Sequence, residues 1–294
     1  MEKAKVYFTK DLSGEGLKKV FDACGKKLKG NVAIKLHSGE GGNQNYLRPE
    51  FVAPLVEYVG GTVVECNTAY GGERNTTQKH KKLIAKHGWD KYFKVDLLDA
   101  EEPDLVLPVQ NGHILSKNYV GKNMADYDSM LVLSHFKGHP MGGFGGALKQ
   151  LSIGCASSRG KAYIHSAGRT LDQYDLWNDL PPQNDFLESM ADAASSVVKY
   201  FDDNMVFVSV MKNMSVDCDC CAVAEDPCLK DIGILASLDP VAIDRACIDI
   251  VKNCNDKGEE HFMQRVLSRN GEHTITAAEE LKIGTTNYEL IVLD

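Results

Sequence analysis

Residues 32–66 have the sequence VAIKLHSGEGGNQNYLRPEFVAPLVEYVGGTVVEC. The apolar run at 32–36 predicts a buried strand, and the β-branched run at 62–66 predicts a second one. Between them, residues 49–58 have apolar side chains at helical spacing, and Pro49 suits the first position of a helix. A strand, a helix and a strand in this order are typical of α/β proteins.

The same alternation continues on both sides of this unit. Strands are predicted at residues 5–8, 105–108, 129–134, 205–210 and 231–237, and helices at 16–24, 76–87, 185–201 and 241–254. Asp239 is the expected N-cap of the last helix, with Pro240 at its first position. The pattern predicts an α/β fold with a mainly parallel sheet flanked by helices.

Length and composition fit a globular protein. The chain has 294 residues, of which 43% are hydrophobic and 25% charged. This is enough material for one large domain, and we predict a single domain over residues 1–294. The alternative is two closely packed lobes, 1–165 and 185–294, with a loop-rich join at 166–184.

Charge and cysteine content exclude several classes of protein. The net charge of -8 argues against a general nucleic-acid or anionic-membrane binder, because both ligands reward basic surface. The start has no apolar signal core, and no run approaches the length of a membrane span. We therefore expect a cytoplasmic protein, in which the nine cysteines do not form a disulfide framework.

Polar, glycine-rich segments follow three of the predicted strands. They cover residues 37–45, 67–77 and 135–146. Ligands of parallel α/β sheets collect outside the carboxyl ends of the strands. The three segments are therefore expected to converge on one rim of the sheet.

The third of these segments has the most titratable side chains and glycines when it is extended to the predicted helix start. This extended segment, residues 135–149, has the sequence HFKGHPMGGFGGALK. Its titratable side chains are His135, Lys137, His139 and Lys149. Its candidate ligand-binding glycines are Gly142, Gly143, Gly145 and Gly146. Glycines let the backbone approach a ligand closely, and the amides at a helix start favour an anion. The alternative is a glycine-rich turn with surface histidines, but the crowding of these groups favours a site that faces a small anion or a cofactor.

Four cysteines crowd into the stretch 217–228, which has the sequence DCDCCAVAEDPC. Thiolates bind zinc, iron and iron–sulfur clusters, and the acidic neighbours increase the need for a cation. The predicted ligands are Cys218, Cys220 and Cys228, with Cys155, His135 or His139 as a fourth. The cofactor is expected to be an iron–sulfur cluster or a transition metal (Fe, Zn or Ni). The alternative is a set of loop thiols without metal, or a disulfide.

The segment from His139 to Lys149 resembles the His…Ala-Gly-Phe-Ser-Gly-Gly…Lys segment of the nickel-pincer lactate racemase family. The resemblance implies that His139 is a proton-transfer base and that Lys149 holds the pincer cofactor. Residues 71–77, GGERNTT, resemble that family's Gly-Thr-His-Arg-x-x-Thr loop, with Glu73 at the position of its second catalytic histidine. By the same resemblance, Arg48 and Arg74 are candidate clamps for a carboxylate or phosphate, which their fork of donors suits.

A second resemblance extends over nearly the whole chain. Residues 138–157, 217–220 and 231–245 resemble a bacterial and archaeal family, the domain of unknown function numbered 362, whose members are often described as iron–sulfur centre proteins. Many members carry an attached ferredoxin module with a Cys-x-x-Cys-x-x-Cys signature. This chain has no such run.

Together these observations favour a metal- or iron–sulfur-dependent enzyme, an isomerase or an oxidoreductase, that acts on a small anionic molecule. In this hypothesis His139 or His135 moves a proton. One alternative is a non-catalytic iron–sulfur or metal-binding protein that transfers electrons with a separate ferredoxin. A second alternative is a pincer-cofactor racemase or epimerase.

Overall fold

The computed structural model describes residues 3–294, and an eight-stranded sheet forms its centre. The strands of the chain are β1 Ala4–Thr9, β2 Val32–Lys35, β3 Thr62–Glu65, β4 Val95–Leu97, β5 Leu105–Pro108, β6 Lys117–Val120, β7 Ser129–His135, β8 Lys137–His139, β9 Gly143–Gly145, β10 Met205–Met211, β11 Gly233–Ser237 and β12 Tyr288–Val292. The strand order in the large sheet is β12-β1-β11-β10-β7-β2-β3-β4.

The large sheet is mixed but mostly parallel. β10, β7, β2, β3 and β4 are parallel neighbours, and β1 pairs in parallel with β12. Only β11 runs against its neighbours, β1 and β10. The predicted α/β fold with a mainly parallel sheet is therefore confirmed.

Helices cover the sheet. They are α1 Gly14–Ala23, α2 Pro49–Val59, α3 Thr77–Lys86, α4 Ala147–Lys149, α5 Ser158–His165, α6 Gln183–Phe201, α7 Pro240–Lys252, α8 Glu259–Ser268 and α9 His273–Glu280. A π-helical segment, Gln150–Gly154, continues α4. Asp239 caps α7 by accepting hydrogen bonds from the amides of Val241 and Ala242, as its sequence position predicts.

The core lies on both faces of the sheet. All seven residues of β7 are buried, and they alternate between two apolar clusters. Met130 and Val132 pack on the side of α6 and α7, whereas Leu131 and Leu133 pack on the side of α1 and α2. A strand covered on both faces is apolar along its whole length, which explains the continuous apolar run in this part of the sequence.

Two local structures differ from the simple alternation. β5 is a strand as predicted, but it pairs with β6 in a separate two-stranded sheet. The glycine-rich segment after β7 contains a second small hairpin, β8–β9. Both hairpins are antiparallel and short, so they carry little of the periodic apolar pattern that reveals strands in a sequence.

Candidate functional site

A cavity of about 70 Å³ lies beyond the carboxyl ends of β2, β3 and β7. All three glycine-rich segments contribute to its walls. The contributing residues are His37 after β2, Thr68, Ala69, Tyr70 and Arg74 after β3, and His139, Gly145 and Gly146 after β7. The predicted convergence of the three segments on one rim is therefore confirmed.

A group of two thiols and one imidazole lies at this cavity, and His139 and Cys220 of this group line its wall. Ligand atoms of His139, Cys218 and Cys220 all lie within 4.8 Å of one another, so the group can hold a metal ion. Sulfur and nitrogen are donors that zinc and iron accept. Burial, together with the neighbouring Cys220, raises the pKa of the Cys218 thiol to about 11. A cation is therefore needed to hold Cys218 as a thiolate at neutral pH.

The ring of His139 is oriented by the backbone that follows it. Its Nδ1 accepts hydrogen bonds from the amides of Gly142 at 2.8 Å and Met141 at 3.2 Å. Its Nε2 lies 3.8 Å from Sγ of Cys220. Burial, reinforced by Lys149, lowers the pKa of His139 to about 4. The ring is thus neutral at pH 7, with its proton on Nε2, because Nδ1 is used as an acceptor.

Asp219 links the cysteine loop, residues 217–228, to the β7–β8 segment. Its carboxylate accepts from His135 Nδ1 at 3.0 Å and pairs with Lys137 at 2.9 Å. Burial alone would raise the pKa of Asp219, but His135 and Lys137 hold it well below the ordinary range. His135 also bonds the carbonyl of Lys212 through Nε2. Both ring nitrogens of His135 therefore face protein groups rather than the cavity.

Arg74 lies in a buried charge network on the β3 side of the cavity. Its guanidinium pairs with Glu40 at 3.2 Å and with Glu65 at 3.5 Å, and it donates to the hydroxyl of Tyr70. Glu65 also binds His80 at 2.8 Å. Arg74 lines the cavity, as a substrate clamp should, but its charge is already matched by these carboxylates.

Three other cationic side chains of the cavity lack a carboxylate partner of this kind. Lys35, Lys149 and Lys161 line its walls, and within residues 3–294 none of them has a carboxylate at ion-pairing distance. The amine of Lys149 instead lies 3.9 Å from Sγ of Cys218. Unpaired buried cations favour the entry of an anion.

Two predicted residues lie outside the cavity walls. Glu73 forms an ion pair with Lys86 at the surface, where half of its side chain is exposed. The guanidinium of Arg48 stacks on the ring of Tyr46, 3.9 Å from its centre, and donates to the carbonyl of Gln44. The structure does not bring either side chain to His139 or Lys149.

The four glycines have two different positions. Gly145 and Gly146 line the cavity. Gly142 supplies the amide that orients His139, and Gly143, with a φ of 79°, packs against Gly271. A glycine is required at Gly143 because side chains rarely adopt this backbone conformation.

Two of the four predicted cysteine ligands are not brought into the metal-binding group. Cys228 hydrogen-bonds the carbonyl of Met214 and packs against the apolar core. Cys155 is buried in that core, and its carbonyl accepts from the thiol of Cys66. The third residue of the group is His139, one of the alternatives for a further ligand. It brings the glycine-rich segment and the cysteine stretch together.

Several residues of the cavity were not predicted from the sequence, among them Lys35, Lys161 and His165. Nδ1 of His165 donates to the carbonyl of Lys161 at 2.7 Å, and burial lowers the pKa of His165 to about 4. Lys161 and His165 lie four residues apart on α5, a spacing that places both on one helix face. This spacing could have identified the two residues as neighbours, but no helix was predicted in this part of the sequence.

None of the helices within residues 3–294 combines the length and the apolar composition that crossing a bilayer requires.

Comparison with known proteins gives a family. The family model described as Domain of unknown function (DUF362) matches residues 32–249. No curated protein is significantly similar in sequence.

Two solved structures are similar. One is the lactate racemase apoprotein from Thermoanaerobacterium thermosaccharolyticum, with 16% identity and a TM-score of 0.44 over 70% of this chain and 50% of that chain. The other is a protein from Thermotoga maritima, with 12% identity and a TM-score of 0.42 over 91% of this chain and 58% of that one. The chain thus spans little more than half the length of either.

Proposed function

The chain belongs to the DUF362 family. We propose that it is a metal- or iron–sulfur-dependent enzyme acting on a small anionic substrate. One observation carries the proposal. His139 and Cys220 line the same cavity as three lysines that lack carboxylate partners, and Sγ of Cys218 lies behind them, within 4.8 Å of both ligand atoms. Cation-rich walls attract an anion, and the thiols supply the place for a metal beside it.

The thiols are the primary metal ligands in this proposal. A histidine that ligates a metal normally donates its other ring N–H to an acceptor. In His139 the other nitrogen, Nδ1, accepts from two amides instead. A metal on Nε2 would have to displace the only proton of the neutral ring. We therefore assign the metal or cluster to Cys218 and Cys220, with further positions open to the substrate.

His139 then serves as a hydrogen-bond donor to the reacting group. Its Nε2–H lies beside the thiols and borders the cavity, and its low pKa keeps it neutral at pH 7. A neutral imidazole can donate a hydrogen bond from Nε2–H to a substrate atom that becomes negative, which stabilises that charge without removing the proton from the ring. Lys149, next to Cys218, holds negative charge at the same end of the cavity.

Metal analysis of protein purified without oxygen tests this proposal. The wild-type chain should carry iron, zinc or nickel in stoichiometric amount, and Cys218→Ser and Cys220→Ser should each lose most of it. Cys228→Ser is the matched control, because this cysteine belongs to the same stretch but bonds Met214, and it should keep its metal. Wild-type protein without stoichiometric metal, or equal loss in all three variants, would contradict the assignment.

A further inference from the structure

We propose that Lys35 and Lys161 form the binding site for the oxyanion group, a carboxylate or a phosphate, of the ligand that enters the cavity. The inference rests on the proposed function in taking this ligand to be the substrate. The contacts that support it are separate from the metal-binding group. It concerns two buried amines on different elements, neither of which belongs to the metal-binding group.

The two lysines reach the cavity from opposite parts of the fold. Lys35 ends the central strand β2 and is 1% exposed. Lys161 lies on α5 and is 7% exposed. Both nevertheless line the cavity. Burying an ammonium group costs several kcal/mol unless an opposite charge or hydrogen bonds compensate it, so each lysine calls for a partner.

Neighbouring protein groups do not supply that partner. Within the part of the chain that the structure describes, neither amine has a carboxylate at ion-pairing distance. The nearby carboxylate of Glu65 is already bound by Arg74 and His80. The adjacent thiol of Cys66 is uncharged, because burial raises its pKa well above the ordinary range. Neither amine therefore forms an ion pair with a described residue.

Their hydrogen bonds leave donors for a ligand. Lys35 donates to the carbonyl of Leu36 at 2.5 Å and to the amide oxygen of Gln150 at 3.0 Å. Lys161 donates to the carbonyl of Ala156 at 2.6 Å. An ammonium group has three N–H donors, so one donor of Lys35 and two of Lys161 have no acceptor among the described residues. Carboxylates and phosphates accept several such charge-assisted bonds at once.

Repulsion between the two amines adds to the case. Burial first, and also the charge of Lys161, lowers the pKa of Lys35. An anion bound to both amines would remove this repulsion. Gly154 permits the arrangement, because a Cβ at this position would lie 2.6 Å from the Gln150 oxygen and 3.0 Å from Cε of Lys35. The glycine thus lets the π-helical segment pack directly on the Lys35 side chain.

The site also orients the ligand. Lys137 and Arg74 line the cavity too, but both are paired with carboxylates. Lys149 is at the thiol end, next to Cys218. A ligand held by its oxyanion on Lys35 and Lys161 therefore directs its remaining atoms toward His139 and the thiols.

Calorimetric titration of the purified chain with sodium malonate and, separately, with sodium phosphate tests the inference. Wild-type protein should show saturable binding of at least one of the two anions, and which one binds identifies the group as carboxylate or phosphate. Lys35→Gln and Lys161→Gln, which keep a donor for the existing acceptors, should each bind about tenfold more weakly or worse. Lys82→Gln, an exposed lysine on α3, is the matched control and should bind as the wild type does.

Two outcomes overturn the inference: no saturable binding of either anion by the wild type, or equal binding by the wild type and both cavity variants. Should a glutamine variant fail to fold by circular dichroism, a crystal structure of the wild type soaked with the bound anion decides instead. An anion on both amines supports the inference, and an anion elsewhere refutes it. Metal content of the same samples is scored separately, because its absence would contradict only the proposed function.

Discussion

Nε2 of His139 lies 3.8 Å from Sγ of Cys220, across the junction of the glycine-rich segment and the cysteine loop. The two residues are 81 positions apart in the chain, and Asp219 holds their segments together through His135 and Lys137. The contact places a proton donor beside a sulfur that can bind a metal.

The tautomer of His139 is directly measurable. Because its Nδ1 accepts from the amides of Met141 and Gly142, nitrogen NMR of metal-free protein should show the Nε2–H form at pH 7. Its burial predicts that the ring gains a charge only as the pH falls to about 4. The resonance should vanish in His139→Gln. An Nδ1–H signal would show that the ring presents a free Nε2 lone pair to a metal.

Glu65 should support stability at neutral pH. Burial by itself would raise the pKa of Glu65, but His80, with His37 and Arg74, holds it well below the ordinary value. Its folded-state pKa is therefore lower than its unfolded pKa. The stabilisation is complete above the ordinary carboxyl pKa and is lost as the pH falls below it.

Glu65→Gln should accordingly lower the free energy of unfolding by about 3 kcal/mol at pH 7, since it removes one of the two carboxylates that pair with the buried Arg74. The deficit should shrink in acid, as denaturant unfolding at several pH values would show. Glu73→Gln, at the surface, should change stability by less than about 1 kcal/mol. A constant deficit at every pH would argue against an ionised Glu65.

Gly146→Ala should disturb the start of α4. A Cβ at this position would lie 2.3 Å from Oδ1 of Asp244, whose carboxylate accepts from the amides of Ala147 and Leu148. We expect a loss of about 2 kcal/mol in thermal or denaturant unfolding, because overpacking and a weakened cap act together. In Gly71→Ala the added carbon meets no heavy atom within 4 Å, so this control should unfold like the wild type.

Arg48 and Glu73 should be dispensable for ligand binding. Neither lines the cavity, and each already has another partner: Arg48 stacks on the buried ring of Tyr46, and Glu73 pairs with Lys86 at the surface. Arg48→Ala and Glu73→Ala are therefore expected to leave metal content and malonate or phosphate titration within about twofold of the wild type. A tenfold loss of metal or of anion binding in either variant would show that the residue contributes to the site.

Local patterns account for most of the sheet. Strands such as β2, β3 and β7 and helices such as α2 and α7 are visible because buried faces impose periodic apolar residues and caps mark the ends. The reversed direction of β11 and the separate β5–β6 hairpin were not visible. Strand direction and sheet membership depend on pairing with distant segments, and the apolar pattern of one strand does not record its partner.

The residues of the candidate site also fall into two sets, those that the sequence identified and those that it did not. The rim on which the polar segments meet and the residues His139, Lys149, Cys218 and Cys220 were recognisable in the sequence, because the position of a segment after a strand and the chemistry of its residues are local properties. Only the tertiary structure decided that Cys155 and Cys228 stay outside the metal-binding group and that Lys35 and Lys161 stand unpaired in the cavity. Burial and the absence of a partner are properties of the whole packed chain, and no single stretch of sequence contains them.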